Sequence, residues 1–74
     1  MDRTAILDQS EKLDRHLAVV EEDLTKQREI VAELLREGYD ATAAIALLRQ
    51  FEDLQARLFV DRDLLQRRLD AAAR

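Results

Sequence analysis

The chain has no cysteine, no proline, one glycine, one histidine and three aromatic residues, Tyr39, Phe51 and Phe59. Without cysteine, disulfides and thiolate zinc sites are excluded. A single histidine excludes a multi-histidine metal centre within one chain. No apolar run approaches the ~18 residues a membrane-spanning helix needs. The opening Met1-Asp2-Arg3-Thr4 has no basic segment followed by an apolar stretch, so no signal peptide is expected and a cytoplasmic location is the default. No serine stands with a paired base, and no glycine-rich phosphate loop is present. No catalysis, cofactor or metal is therefore expected.

What the chain does have is helix-forming residues. Leu, Ala, Arg, Glu, Asp and Gln dominate its 74 residues, with 47% hydrophobic and 38% charged. That is the profile of a coiled coil or helical bundle, and it is too apolar for a disordered chain. A domain this short buries only ~60% of the surface its unfolded form exposes. Small domains need a staple, and with disulfides and metals excluded the remaining one is another chain.

Apolar residues recur at Ile6, Leu13, Leu17, Val20, Leu24, Val31 and Leu34, with Ser10 and Gln27 as polar members of the same series. The steps alternate between three and four, averaging 3.5, which keeps one seam facing a partner helix. This predicts a first helix over about 3–37, capped by Asp2. Gly38 suits the left-handed conformation that closes a helix. Arg36 in the last turn complements the exposed carbonyls. Asp40 is expected to cap a second helix over about 41–73. Tyr39 is expected to fold over its first turn as a hydrophobic staple near Ala44. A turn as short as Gly38-Tyr39-Asp40 forces the second helix back antiparallel.

The inner stripe expected for the second helix is Ala44, Leu47, Leu48, Phe51, Leu54, Leu58, Leu65, Leu69 and Ala72, broken at Asp61 and Arg62. Folding about Tyr39 places Leu34 opposite Ile45, Val31 opposite Leu48 and Leu24 opposite Leu54. It places Val20 opposite Leu58 and Leu13 opposite Leu65. The break then lies beside Leu17 and His16. Val19, Ile30, Leu35, Phe59, Val60 and Leu64 fall outside the seam. An isolated hairpin would leave them in water, and such surface points to a protein partner. The expected architecture is an all-α antiparallel two-helix hairpin pairing as a homodimer into a four-helix bundle, with an unidentified protein as the other candidate partner.

Five acid-first pairs stand four apart: Asp8–Lys12, Glu11–Arg15, Glu22–Lys26, Asp53–Arg57 and Asp63–Arg67. They predict a charged, solvated surface. Glu21, Glu22 and Asp23 are consecutive, so they point in different directions and do not converge on one cation. Arg57, Arg62, Arg67, Arg68 and Arg74 make the end of the second helix basic. Pairing with Asp8, Glu11, Asp14 and Glu21 of the first helix is expected in preference to a phosphate-binding stripe. The formal net charge of −4 also argues against nucleic acid as the partner. His16 flanks the seam and is expected to hydrogen-bond Asp61 or Asp63. Histidine-kinase dimerisation domains are also hairpins that carry a phospho-accepting histidine on the first helix. Their motif has an acid directly after it and a nearby proline, whereas here the run is His16-Leu17-Ala18-Val19-Val20.

One further pattern extends beyond heptads. It comprises His16, Gln27-Arg28-Glu29, Gly38-Tyr39-Asp40-Ala41-Thr42, Leu47-Leu48-Arg49-Gln50-Phe51 and Asp61-Arg62-Asp63. In these residues the chain resembles a group of small uncharacterised proteobacterial helical-hairpin proteins. The resemblance covers most of the chain from His16 to Leu69. It implies the hairpin fold and no known activity. In shape alone the hairpin resembles Rop, a plasmid regulator that binds RNA, and no RNA-binding residue is matched position by position. The function read from the sequence is non-enzymatic protein–protein interaction, as an adaptor or small regulator. A Rop-like nucleic-acid binder using the second-helix arginines is the alternative, and phosphotransfer through His16 is a third.

Overall fold

The computed structural model describes residues 2–72. Two helices, α1 (Arg3–Arg36) and α2 (Thr42–Ala72), pack side by side, and no strand occurs among the described residues. The result is a rod of 57 × 15 × 14 Å. No described helix is long and apolar enough to cross a membrane.

α1 begins where Asp2, in extended conformation, accepts the Ala5 N–H on its carboxylate at 2.8 Å. One of the free donors of the first turn is thereby satisfied. The other end closes through two backbone bonds. The Gly38 N–H binds the Leu35 carbonyl at 3.2 Å, and the Tyr39 N–H reaches back to the Leu34 carbonyl at 2.9 Å. Gly38 has φ +78°, the left-handed conformation this closure requires. Arg36 lies in the last turn as expected.

Beyond the turn the structure departs from the sequence reading in two details. The first carbonyl to accept an α2 bond is that of Ala41, from Ile45 N–H at 2.8 Å, so Ala41 holds the cap position. Asp40 acts from one residue farther out. Its Oδ1 accepts both the Thr42 N–H, at 3.0 Å, and the Thr42 hydroxyl, at 2.6 Å. The expected donor is satisfied, but by an Asx-type turn that spans two residues rather than by a conventional cap. Tyr39 does not form the staple. It remains 63% exposed, and the turn residue that goes inward is Ala41. The bond from Tyr39 to Leu34 holds that backbone against α1, which leaves the ring outside.

On α1 the seam is as periodic as the sequence implies. Ile6, Leu17, Val20, Leu24 and Gln27 are buried, and Ser10, Leu13, Val31 and Leu34 are half-buried. The main core is Leu17, Val20, Leu24 and Leu58, with Leu13, Leu48, Phe51 and Leu54 packed against it. On α2 the covered set is Ala44, Ile45, Leu48, Phe51, Leu54, Gln55, Leu58, Leu65 and Leu69, of which only Leu58 is buried. Leu47 and Ala72 belong to the outer surface instead, and Ile45 and Gln55 take part in the stripe.

Gln27 joins the two helices. Its Nε2 donates to the carbonyl oxygen of Ala44 across the hairpin at 2.9 Å. The bond ties the buried Gln27 to the first turn of α2. No buried side-chain polar atom among the described residues lacks a hydrogen-bond partner.

Candidate interaction surface

The two seams leave two flanks, one on each side of the helix pair. Residues immediately beside the seam on one flank are Gln9, His16, Asp23 and Ile30 of α1, and Leu47, Leu54, Asp61 and Arg68 of α2. That both helices share this flank is visible in a shallow depression lined by Gln9, Leu13, His16, Asp61 and Leu65. The opposite flank carries Leu7, Glu21, Arg28 and Leu35 of α1, and Ile45, Glu52 and Phe59 of α2. A second depression there joins Glu21 and Arg28 to Gln55.

All six residues proposed from the sequence for an interface are exposed, between 37% for Phe59 and 60% for Val60. They do not form one patch. Ile30 lies beside the seam on the first flank, with Val19 and Leu64 on its outer edge. Leu35 and Phe59 lie on the opposite flank, and Val60 faces away from α1. Leu7 and Leu47, at 44% and 41% exposure, belong with these residues and were missed. Leu47 was assigned to the inner stripe because Leu47 and Leu48 both fit an i, i+3, i+4 pattern. The first flank thereby gains a run of Ile30, Leu47, Leu54 and Val19. Leu47, Gln50, Phe51, Leu54 and Arg57 line a groove along it.

The charges are arranged more locally than expected. Asp8–Lys12, Glu11–Arg15 and Asp63–Arg67 form ion pairs at 3.2, 4.0 and 2.9 Å, each within one helix. The other two pairs of that type do not form, and no ion pair crosses the hairpin among the described residues. Arg67 is occupied by Asp63. Arg62 turns away from the acids of α1 and lies over the Phe59 ring, 4.9 Å from its centroid. The guanidinium leaves the apolar layer for water while its stem and charge cover an aromatic face. Arg74 lies outside the described residues.

His16 and Asp61 come to the same depression, yet no hydrogen bond joins His16 to Asp61 or Asp63. Both side chains are exposed and remain solvated. No group of three or more His, Asp or Glu side chains among the described residues is arranged to hold a metal ion. The Asp40 carboxyl is held below the ordinary carboxylate range first by the Thr42 hydroxyl and then by the Thr42 N–H. That is turn chemistry.

No protein-family model matches the chain, and neither a curated protein nor a solved structure matches it.

Proposed function

We propose that the hairpin is a non-catalytic protein–protein interaction module that first associates with itself, two copies forming a four-helix bundle, and acts as a cytoplasmic adaptor or small regulator. The observation behind this reading is the surplus of apolar surface. Eight large hydrophobic side chains on the two helices stay exposed: Leu7, Val19, Ile30, Leu35, Leu47, Phe59, Val60 and Leu64. A two-helix contact covers one stripe per helix, and the stripe on α2 is wider than α1 can cover. Covering it with a second hairpin also supplies the staple that so short a domain needs.

Light scattering after size exclusion, over a range of protein concentrations, tests the proposal. The expected result is a mass twice the 8.6 kDa of the chain, independent of concentration. A monomer at all concentrations would assign the exposed residues to a different protein. The same reading expects no salt-sensitive retention on a polyanion column, and no phosphate uptake that is lost with His16→Ala. Retention abolished by replacing Arg67 and Arg68 would favour nucleic acid instead.

A further inference from the structure

We infer that the second copy binds through α2, helix against helix, along a second heptad seam that α2 carries beside the one facing α1. This rests on the self-association proposed above and adds the helix that makes the contact and the way its side chains pair.

The seam is a property of the spacing within α2. From Leu47 to Ala71 one row of residues recurs at alternating steps of three and four, which keeps the row facing a neighbouring helix. Its apolar members are Leu47, Leu54, Leu64 and Ala71, and its polar members are Gln50, Arg57, Asp61 and Arg68. Leu54 is half-buried, and the other seven are exposed. The groove that Leu47, Gln50, Leu54 and Arg57 share with Phe51 runs along this row. The row lies roughly 100° around the helix from the residues that meet α1, so the two seams can be filled at once. α1 has no equivalent. At the same steps, its row from Gln9 to Glu33 holds only Val19 and Ile30 as apolar members.

The polar members decide how two such seams pair. Antiparallel pairing centred on Phe59 sets Arg57 against the partner's Asp61, and Asp61 against the partner's Arg57. Leu54 then meets the partner's Leu64, and Gln50 meets the partner's Arg68. Sliding one chain by a heptad sets Arg57 against the partner's Leu54 in one direction and against the partner's Arg68 in the other. Parallel pairing in register sets Arg57, Asp61 and Arg68 each against its own copy. Opposite charges within a layer support the first alignment, and like charges face to face oppose the last. Among the described residues none of these three is held in an ion pair within its own chain. Val60, 60% exposed, flanks the centre of the seam on the side away from α1 and comes beside the partner's Val60. The contact thus covers Leu47, Val60 and Leu64, which the hairpin leaves exposed. These pairings follow from α2 alone and do not depend on how α1 is aligned with it.

The absence of native cysteine makes the test direct. Single spin labels at Arg49→Cys or Ala56→Cys, both outside the seam on one side of α2, report distances between the two copies. The proposed pairing separates two Arg49 labels by ~30 Å along the helix axis and two Ala56 labels by only ~9 Å. Equal distances at the two positions would overturn the pairing while leaving self-association intact. A monomeric mass at all concentrations would overturn both. Asp61→Arg sets arginine against the partner's Arg57, and it should weaken self-association by ~10–100-fold with helicity retained. Adding Arg57→Asp returns opposite charges to both central layers and should restore the dimer. An Asp61→Arg variant that dimerises as tightly as the native chain, or a swap without rescue, would remove this seam as the interface.

Discussion

α1 buries five residues and α2 only one, although the two helices are nearly equal in length and pack along a shared seam. The difference lies in what occupies each seam. Along α1 the inward positions are medium-sized and apolar apart from Ser10 and Gln27, so the large side chains of α2 close over them. Along α2 the seam contains Ala44 and Gln55, and the apolar surface spreads sideways to Ile45 and Leu54. One neighbouring helix therefore satisfies α1, while α2 retains half-covered Leu48, Phe51, Leu54 and Leu65. An amphipathic helix whose stripe is wider than its contact is suited to a second neighbour.

The comparison is tested most strongly in the core. Leu24 is 1% exposed, and Leu24→Ala should lower stability by ~3–5 kcal/mol in thermal or urea unfolding. Leu48→Ala on α2, half-buried, should cost only about 1–2 kcal/mol in the isolated hairpin. Equal costs measured at high dilution would mean that α2 is as well covered as α1. A rising penalty for Leu48→Ala with protein concentration would instead show that a second copy completes its burial.

The joint between the helices comes next. A β-carbon at Gly38 meets nothing within 4 Å, so Gly38→Val isolates backbone strain at φ +78°. The expected loss is about 1–2 kcal/mol, with the strain shared by both helix ends. Gln27→Ala should cost about 1 kcal/mol, because the bond to the Ala44 carbonyl is lost while that carbonyl keeps its helical donor. Gln27→Leu should be close to neutral in stability. A change in its hydrogen-exchange pattern near Ala44 would show that the glutamine fixes register.

The smallest effect is expected at Asp40. Its folded-state pKa is lowered by Thr42, so its contribution is present above the ordinary carboxylate range and disappears as pH falls through the depressed value. Stability should therefore decline slightly on acidification, and Asp40→Ala should remove that part of the pH dependence. An identical acid profile in Asp40→Ala would mean that the Thr42 bonds do not persist in solution.

Much of the fold is legible in the sequence because it is local. The alternation from Ile6 to Leu34 is a property of helical geometry, and every member of the series, including Ser10 and Gln27, faces inward. Asp2 and Gly38 act through neighbours within a few residues. The candidate surface was less legible. All six proposed residues are exposed, but their division between two flanks follows from register, and Leu47 could be assigned to the seam or to the flank on spacing alone.

The sequence by itself determined that this chain forms two helices, where the first one ends and that they must return antiparallel, because those outcomes depend on periodicity, a capping acid and one residue that tolerates positive φ. Only the tertiary structure decided the burial of Ala41, the exposure of Tyr39 and the place of Leu47. Those depend on two backbone bonds in the turn and on one glutamine reaching across the hairpin. A shift of a few residues costs little in local geometry but rotates a different set of side chains into the space between the helices.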